Sequence, residues 1–326
     1  MAEPIMQITD LKMLFPIGKK NGVMQYVRAV DGVTLDINQG EIIGLVGESG
    51  SGKSTIAYTI IGMYKPTAGD VTYKGKSLGT GKRRSLELKR ELQIVFQDPG
   101  SSLNAQQSVK EILALPLKVH RISTGKKPIE RKVAELLDMV ELPQHYMYKS
   151  PLSMGGGERQ MVAIARALAT DPRFIILDEP TSALDVSIQA KIINMLLRLQ
   201  KERGLTYLFI THDLSLMRNI STRVAILYLG KVAEIAPTDV FFQTPQHPYT
   251  QMLLSSIPVI SEEEEALKPV KVDSIGEIPS PVDVPPGCSF HMRCRCRQSI
   301  CDKTDPRMVA VCGRHMVRCH LFEENS

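Results

Sequence analysis

The alternation of apolar and polar residues predicts strands at Met6–Leu14 and Val33–Ile37, each burying one face, with a turn at Asn38-Gln39-Gly40. Glu41–Val46 (EIIGLV) is instead a short apolar run, the pattern of a strand buried on both faces. A glycine-rich loop follows it, and Ser54–Met63 then reads as a helix. Phe174–Leu177 and Thr206–Ile210 (TYLFI) repeat the doubly buried pattern, and Lys191–Arg203 between them has helical periodicity. Strands alternating with helices predict an α/β fold with a mostly parallel sheet covered on both faces.

Residues 100–160 differ. Val109–Leu115 and Pro128–Val140 read as helices between Pro, Ser and Gly breaks, which predicts a helical insertion in the α/β core. Beyond about residue 250 the pattern changes again. Glu262–Glu265 is an acidic run expected in a solvated linker or helix face, and Pro279–Pro286 holds four prolines. The expected division is a first domain at 1–250 and a small extension at 251–326. No internal repeat is present.

Composition sharpens this picture. With 43% hydrophobic and 23% charged residues, the 326-residue chain is an ordinary globular one. The net charge of +5 is too small to argue for nucleic acid. No uncharged apolar run approaches a membrane span, and MAEPIMQITD lacks the pattern of a signal peptide. All six cysteines (Cys288, Cys294, Cys296, Cys301, Cys312, Cys319) fall in the extension. Without a sign of export, such clustering points to a metal or iron–sulfur centre rather than to disulfides.

Gly47-Glu48-Ser49-Gly50-Ser51-Gly52-Lys53-Ser54 matches G-x-x-x-x-G-K-[ST] between a buried strand and a helix, with Thr55 next on that helix. Its glycines let successive backbone N–H groups face phosphate oxygens. The helix N-terminus adds partial positive charge. Lys53 would reach the β- and γ-phosphates of a nucleotide, and the Ser54 hydroxyl would bind Mg²⁺. Phe174–Leu177 ends in Asp178-Glu179. Asp178 would hold Mg²⁺, while Glu179, facing the other side of the strand end, would orient and deprotonate an attacking water.

Taken together, these motifs resemble those of ABC ATPases, a subgroup of P-loop NTPases with a RecA-like core. Asp178-Glu-Pro-Thr-Ser-Ala-Leu-Asp185 resembles the Walker B and D-loop, Gln97 in Val95-Phe-Gln-Asp-Pro99 the Q-loop, and Thr211-His212-Asp213 the H-loop. Gly155-Gly156-Gly157-Glu-Arg-Gln160 lies where the family signature belongs. The resemblance covers about residues 5–250. It implies two domains facing head to tail around two ATP molecules, each ATP between the phosphate loop of one and the signature of the other. Gln97 would approach Mg²⁺ and the attacking water, and His212 the γ-phosphate. Phe15 stands where the family places the aromatic that stacks on adenine, with Tyr26 as the alternative.

The signature departs from the family's Leu-Ser-Gly-Gly. Aligned without a gap, the serine position is Gly155, which offers N–H groups but no hydroxyl; with inserted residues, Leu152-Ser153 would supply it. The ungapped reading predicts one impaired ATP site, and so a heterodimer of two different ATPase subunits.

The cysteines follow no C-x2-C knuckle pattern, and their spacing alone leaves zinc and iron–sulfur open. Gln246-His-Pro-Tyr-Thr250, Pro286-Gly-Cys288-Ser-Phe290, Arg293-Cys294, Cys301 and Cys319-His320 resemble the tail of oligopeptide/dipeptide importer ATPases. That resemblance implies a [4Fe–4S] cluster on Cys288, Cys294, Cys301 and Cys319, with zinc as the alternative. It also implies a peripheral subunit on the cytoplasmic face of the membrane, two transmembrane permease subunits, an extracytoplasmic solute-binding protein and ATP-driven uptake of di- or oligopeptides. Oligosaccharide or nickel uptake is the variant within the subgroup. A soluble ABC ATPase acting on nucleic acid or the ribosome is the competing class. It predicts a basic stripe interleaved with aromatics; Arg293, Arg295, Arg297, Arg307, Arg314 and Arg318 lack the aromatic half.

Overall fold

A computed structural model describes residues 4–79, 84–182, 184–257 and 276–325. The acidic run at Glu262–Glu265 lies outside the described residues. The strands are β1 (Met6–Lys20), β2 (Val23–Ile37), β3 (Ile42–Val46), β4 (Ala68–Tyr73), β5 (Lys76–Ser77), β6 (Leu92–Val95), β7 (Phe174–Asp178), β8 (Thr206–Thr211), β9 (Arg223–Tyr228), β10 (Lys231–Pro237), β11 (Met308–Cys312) and β12 (His315–Arg318). The helices are α1 (Lys53–Ile61), α2 (Leu86–Glu91), α3 (Pro99–Ser102), α4 (Val109–Val119), α5 (Lys126–Met139), α6 (Gly156–Leu168), α7 (Val186–Arg203), α8 (Leu214–Ile220), α9 (Thr238–Gln243) and α10 (Pro248–Ser255). The chain forms two compact units. One comprises residues 1–38, 42–81 and 211–326, the other 39–41 and 82–210.

In the first unit, β1, β2, β4 and β5 form an antiparallel sheet in the order β2-β1-β4-β5. β1 and β2 each run 15 residues, well beyond Met6–Leu14 and Val33–Ile37. The exposed outer ends that the expected strands leave out are carried by ladder hydrogen bonds, in which Lys20 pairs with Val23 across a two-residue turn. β3 is buried at all five residues and runs parallel to β9. β10 continues antiparallel from β9, and β12 and β11 follow it. The cysteine-bearing segment therefore adds its two strands to this sheet. α8 packs close over β3: a Cβ at Gly44 would sit 2.5 Å from the Met217 sulfur.

In the second unit, β6, β7 and β8 are parallel, and β7 and β8 are buried throughout. The helical segment expected at about 100–160 is present as α3 to α6. The Ser108 hydroxyl accepts from the Glu111 N–H, and the Glu111 carboxylate accepts from the Ser108 N–H, so α4 starts on a capping box. α4 continues past Pro116 to Val119, beyond the expected Leu115. α7 starts at Val186 rather than Lys191, because the Asp185 carboxylate accepts from the Ile188 N–H and caps it.

Candidate functional site

The glycine-rich loop joins β3 to α1 in the first unit. A Cβ at Gly47 would lie 2.3 Å from the Leu227 carbonyl oxygen, and one at Gly52 would lie 2.1 Å from that of Ala29. Gly52 also has φ +104°, so only glycine can turn the chain into α1 there. The loop folds around its own lysine. The buried Lys53 ammonium donates to the carbonyls of Gly47 (2.8 Å) and Glu48 (3.0 Å). Ser54 and Thr55 follow in the first turn of α1, both half-buried. The loop's N–H groups and this cation make a ready anion cradle.

In the second unit, Asp178 ends β7 fully buried, and Glu179 follows half-buried. Glu179 has φ +46°, a left-handed conformation rare for a residue with a side chain. Its N–H donates to the Ile210 carbonyl of β8 (2.9 Å), and its carbonyl accepts from the Ser182 hydroxyl (3.2 Å). These bonds hold the strained backbone, as is common at catalytic positions. The Gln97 side-chain amide donates to a Glu179 carboxylate oxygen at 3.0 Å, across 82 residues of sequence. Two residues picked out separately by motif therefore meet. Asp98 beside them caps α3, and its pKa is lowered chiefly by the N–H of Gly100.

Gly155 is the N-cap of α6 with φ −67° and ψ 164°, the extended conformation a serine cap adopts. Its N–H donates to the Glu158 carboxylate at 2.9 Å, which also accepts from the Tyr146 hydroxyl at 2.7 Å. These contacts hold the Glu158 pKa below the ordinary carboxylate value, the Tyr146 bond first. A Cβ on Gly155 would meet nothing nearer than the Glu158 carboxylate at 3.9 Å, so the missing hydroxyl is not excluded by space. Gly157 differs, since a Cβ there would lie 2.3 Å from Ile188, while Gly156 would approach Leu184 at 3.3 Å. Ser153 ends a short 3-10 turn, and its hydroxyl donates to the Ser150 carbonyl. The cap position of α6 is thus held by Gly155.

Both candidate adenine aromatics lie on the β1–β2 hairpin. Phe15 pairs with Val27 and packs edge-on against Tyr64 at 5.2 Å, while Tyr26 pairs with Pro16 and is exposed. His212 is exposed directly after β8, ahead of the Asp213 that caps α8. Ser49 and Gly50 sit at the open tip of the phosphate loop, where a Cβ on Gly50 would meet nothing. Ser51 is buried beneath the loop.

The motifs did not show what holds Glu48. The Tyr249 hydroxyl accepts from the Glu48 N–H and donates to its carboxylate, both at 3.3 Å. Arg293 makes a two-pronged ion pair with the same carboxylate, at 2.9 and 3.2 Å. Both anchors lie in stretches whose spelling pointed to the cysteine tail, Gln246-His-Pro-Tyr and Arg293-Cys294. The imidazole of His247 caps α10 by accepting from the Tyr249 N–H (3.0 Å), and burial pushes its pKa down to about 4. Nothing in their spacing signals a contact with a loop some 200 residues earlier.

All six cysteines are free thiols. Burial raises Cys288 above the usual thiol range and pushes Cys294 up to about 12 and Cys319 up to about 11. Charge on Cys301 adds to the rise at Cys288, charge on Cys296, Cys319 and Cys288 to that at Cys294, and charge on Cys288, Cys301 and Cys296 to that at Cys319. Among the described residues, however, no group of three or more His, Cys, Asp or Glu is drawn together as for a metal ion. The four ligands that the resemblance implies are thus not drawn into a ready-made ligand cage.

Residues 30–182 match the ABC transporter family, and residues 233–301 match the C-terminal region of oligopeptide/dipeptide transporters. The chain is 43% identical to the oligopeptide transport ATP-binding protein AppF of Bacillus subtilis, covering 98% of each chain. It is 40% identical to OppF of Escherichia coli, an oligopeptide transport ATP-binding protein, over 97% of this chain and 95% of that one. The dipeptide transport ATP-binding protein DppF of the same organism is 38% identical over 99% and 96%. Among solved structures, the cassette MJ0796 bound to ADP and phosphate superimposes with a TM-score of 0.63 at 32% identity, covering 72% of this chain and 98% of that one. CbiO1 of Clostridium perfringens does so with a TM-score of 0.63 at 26% identity, covering 74% and 92%. No helix among the described residues is long and apolar enough to cross a membrane.

Proposed function

Because this chain belongs to the ABC transporter family, as an ATP-binding subunit of oligopeptide/dipeptide importers, we propose specific roles for its residues and specific partners for its assembly. It is an α/β P-loop ATPase that hydrolyses ATP. The observation that carries the residue assignment is the Gln97–Glu179 hydrogen bond, which sets a candidate water-orienting amide on the candidate general base.

Lys53 and the N–H groups of residues 47–55 bind the β- and γ-phosphates. Ser54, Gln97 and Asp178 supply a hydroxyl, an amide oxygen and a carboxylate, the hard oxygen donors that suit Mg²⁺. When bound, that ion neutralises charge on the phosphates. Glu179 accepts the proton of the attacking water, and Gln97 holds the Glu179 carboxylate in place for it. His212 contacts the γ-phosphate, and Phe15 stacks on adenine. Gly155, Gly156 and Gly157 at the start of α6 face an ATP held by a partner ATPase, with the Gly156 and Gly157 N–H groups as donors, since the Gly155 N–H is held by the Glu158 carboxylate. The absence of a hydroxyl at Gly155 favours a second, different ATPase subunit with its own serine.

The assembly comprises that subunit, two membrane permeases and an extracytoplasmic solute-binding protein. This chain lies peripherally on the cytoplasmic face, with residues 1–250 as the nucleotide-binding domain and 251–326 as its extension. Reconstituted with those partners, it is expected to hydrolyse ATP faster when the binding protein carries a peptide. No stimulation by any di- or oligopeptide, but stimulation by an oligosaccharide or a nickel complex, would reassign the cargo.

A [4Fe–4S] cluster on Cys288, Cys294, Cys301 and Cys319 rests on the resemblance of this tail to that of oligopeptide/dipeptide importer ATPases. Anaerobically purified full chain is expected to be brown, with iron and acid-labile sulfide in equal amounts. Stoichiometric zinc without colour would exclude the cluster.

A further inference from the structure

Glu48 occupies a variable position of the phosphate-loop motif, where the chemistry of phosphate binding asks only for a backbone N–H. In this chain its side chain is gripped from two directions. The Tyr249 hydroxyl at the start of α10 bonds both its N–H and its carboxylate. The Arg293 guanidinium meets both carboxylate oxygens in the fork geometry that makes such pairs strong. Arg293 is only 6% exposed, so bulk salt screens the pair poorly. It lies against Tyr228 and Phe290, each ring 5.8 Å away. Those rings pack with Tyr249 at 4.6 and 5.3 Å, so the guanidinium is seated on a stiff aromatic base. The Cys288 N–H donates to the Cys301 carbonyl, and the neighbouring Cys294 N–H closes a turn on the His291 carbonyl. The same Glu48 presents its carbonyl to the Lys53 ammonium. A force on the Glu48 side chain therefore reaches the cation of the loop through one residue.

We propose that Arg293 is a positioning residue for the phosphate-binding loop, tying the cysteine-bearing segment to the loop conformation that receives ATP. The proposal rests on the reading of residues 47–54 as the phosphate site. Pre-paying the ordering of a loop raises affinity without adding a ligand contact. Loss of the clamp should therefore weaken nucleotide binding without touching the nucleotide itself.

The test uses the purified full chain and a fluorescent ATP analogue, with thermal unfolding recorded alongside. Arg293→Ala and Glu48→Gln should each raise the analogue's Kd by about tenfold, the size expected when a charged hydrogen-bonded pair stops ordering the loop. The double variant should be no worse than the weaker-binding single one, since both remove one interaction. Arg293→Lys, which keeps the charge but not the fork, should fall between wild type and Arg293→Ala. If Arg293→Ala does not fold, Glu48→Gln, which keeps the side-chain shape, decides. Unchanged affinity in a folded variant, or additive losses in the double variant, would overturn the proposal. A wild-type chain that binds no analogue would instead overturn the reading of the loop.

Discussion

Glu179→Gln is expected to reduce ATP hydrolysis by the assembled complex by about 10²–10⁴-fold, the range for losing a general base, while leaving ATP binding intact. The amide is nearly isosteric with the carboxylate. It can still accept from Gln97, which now donates at 3.0 Å, so the geometry of the pair should persist. The left-handed backbone at position 179 is held by main-chain bonds to Ile210 and Ser182, which the substitution leaves alone. What disappears is the capacity to take a proton from water. Steady-state phosphate release and analogue binding on the same preparation separate the two effects. The result also bears on the partner. Gly155 lacks a hydroxyl although there is room for one, so the ATP bound by this chain, facing a partner's serine, should be the productive one. If the Glu179→Gln complex keeps near wild-type hydrolysis and transport, the productive site lies on the other subunit.

Gly52→Ala should abolish tight nucleotide binding and destabilise the fold by about 2–6 kcal/mol, the sum of a strained backbone and an overpacked contact. The new methyl would sit 2.1 Å from the Ala29 carbonyl oxygen, a backbone atom in β2 that cannot swing aside as a side chain would. The residue would also have to hold φ +104°. The chain can respond only by moving the loop off β2, which disperses the N–H groups at the start of α1. Thermal unfolding and analogue binding read the two consequences. Gly50→Ala is the control. Its Cβ would meet no atom within 4 Å, so any cost there comes from its φ of +77° alone. A Gly52→Ala chain with wild-type stability and affinity would show that the loop geometry is not what the glycine secures.

The phosphate loop, the carboxylate pair and the doubly buried strands were legible in sequence because each is a local pattern. A strand followed by glycines and Lys53-Ser54 constrains its own backbone over a few residues, and the helix after it supplies the charge. The lengths of β1 and β2 were not legible, because their outer ends are exposed, bury no regular apolar face and owe their conformation to pairing with each other. The start of α7 was hidden for a different reason. Asp185 reads as part of a motif, and its second use as a cap for the Ile188 N–H shows only once the backbone turns there.

Sequence alone thus determined the local patterns: a glycine-rich phosphate-loop motif at residues 47–54, an acidic pair after a buried strand at Asp178-Glu179, and six cysteines confined to the C-terminal segment. Tertiary structure decided which of these residues touch. It placed Gln97 on Glu179 and Arg293 on Glu48, the latter pair 245 positions apart. It also drew no three of the His, Cys, Asp and Glu side chains into a metal cage among the described residues. The physical reason is range. A motif dictates backbone conformation over one or two turns, whereas contact between distant side chains follows from how strands register and helices pack, which no local spacing contains.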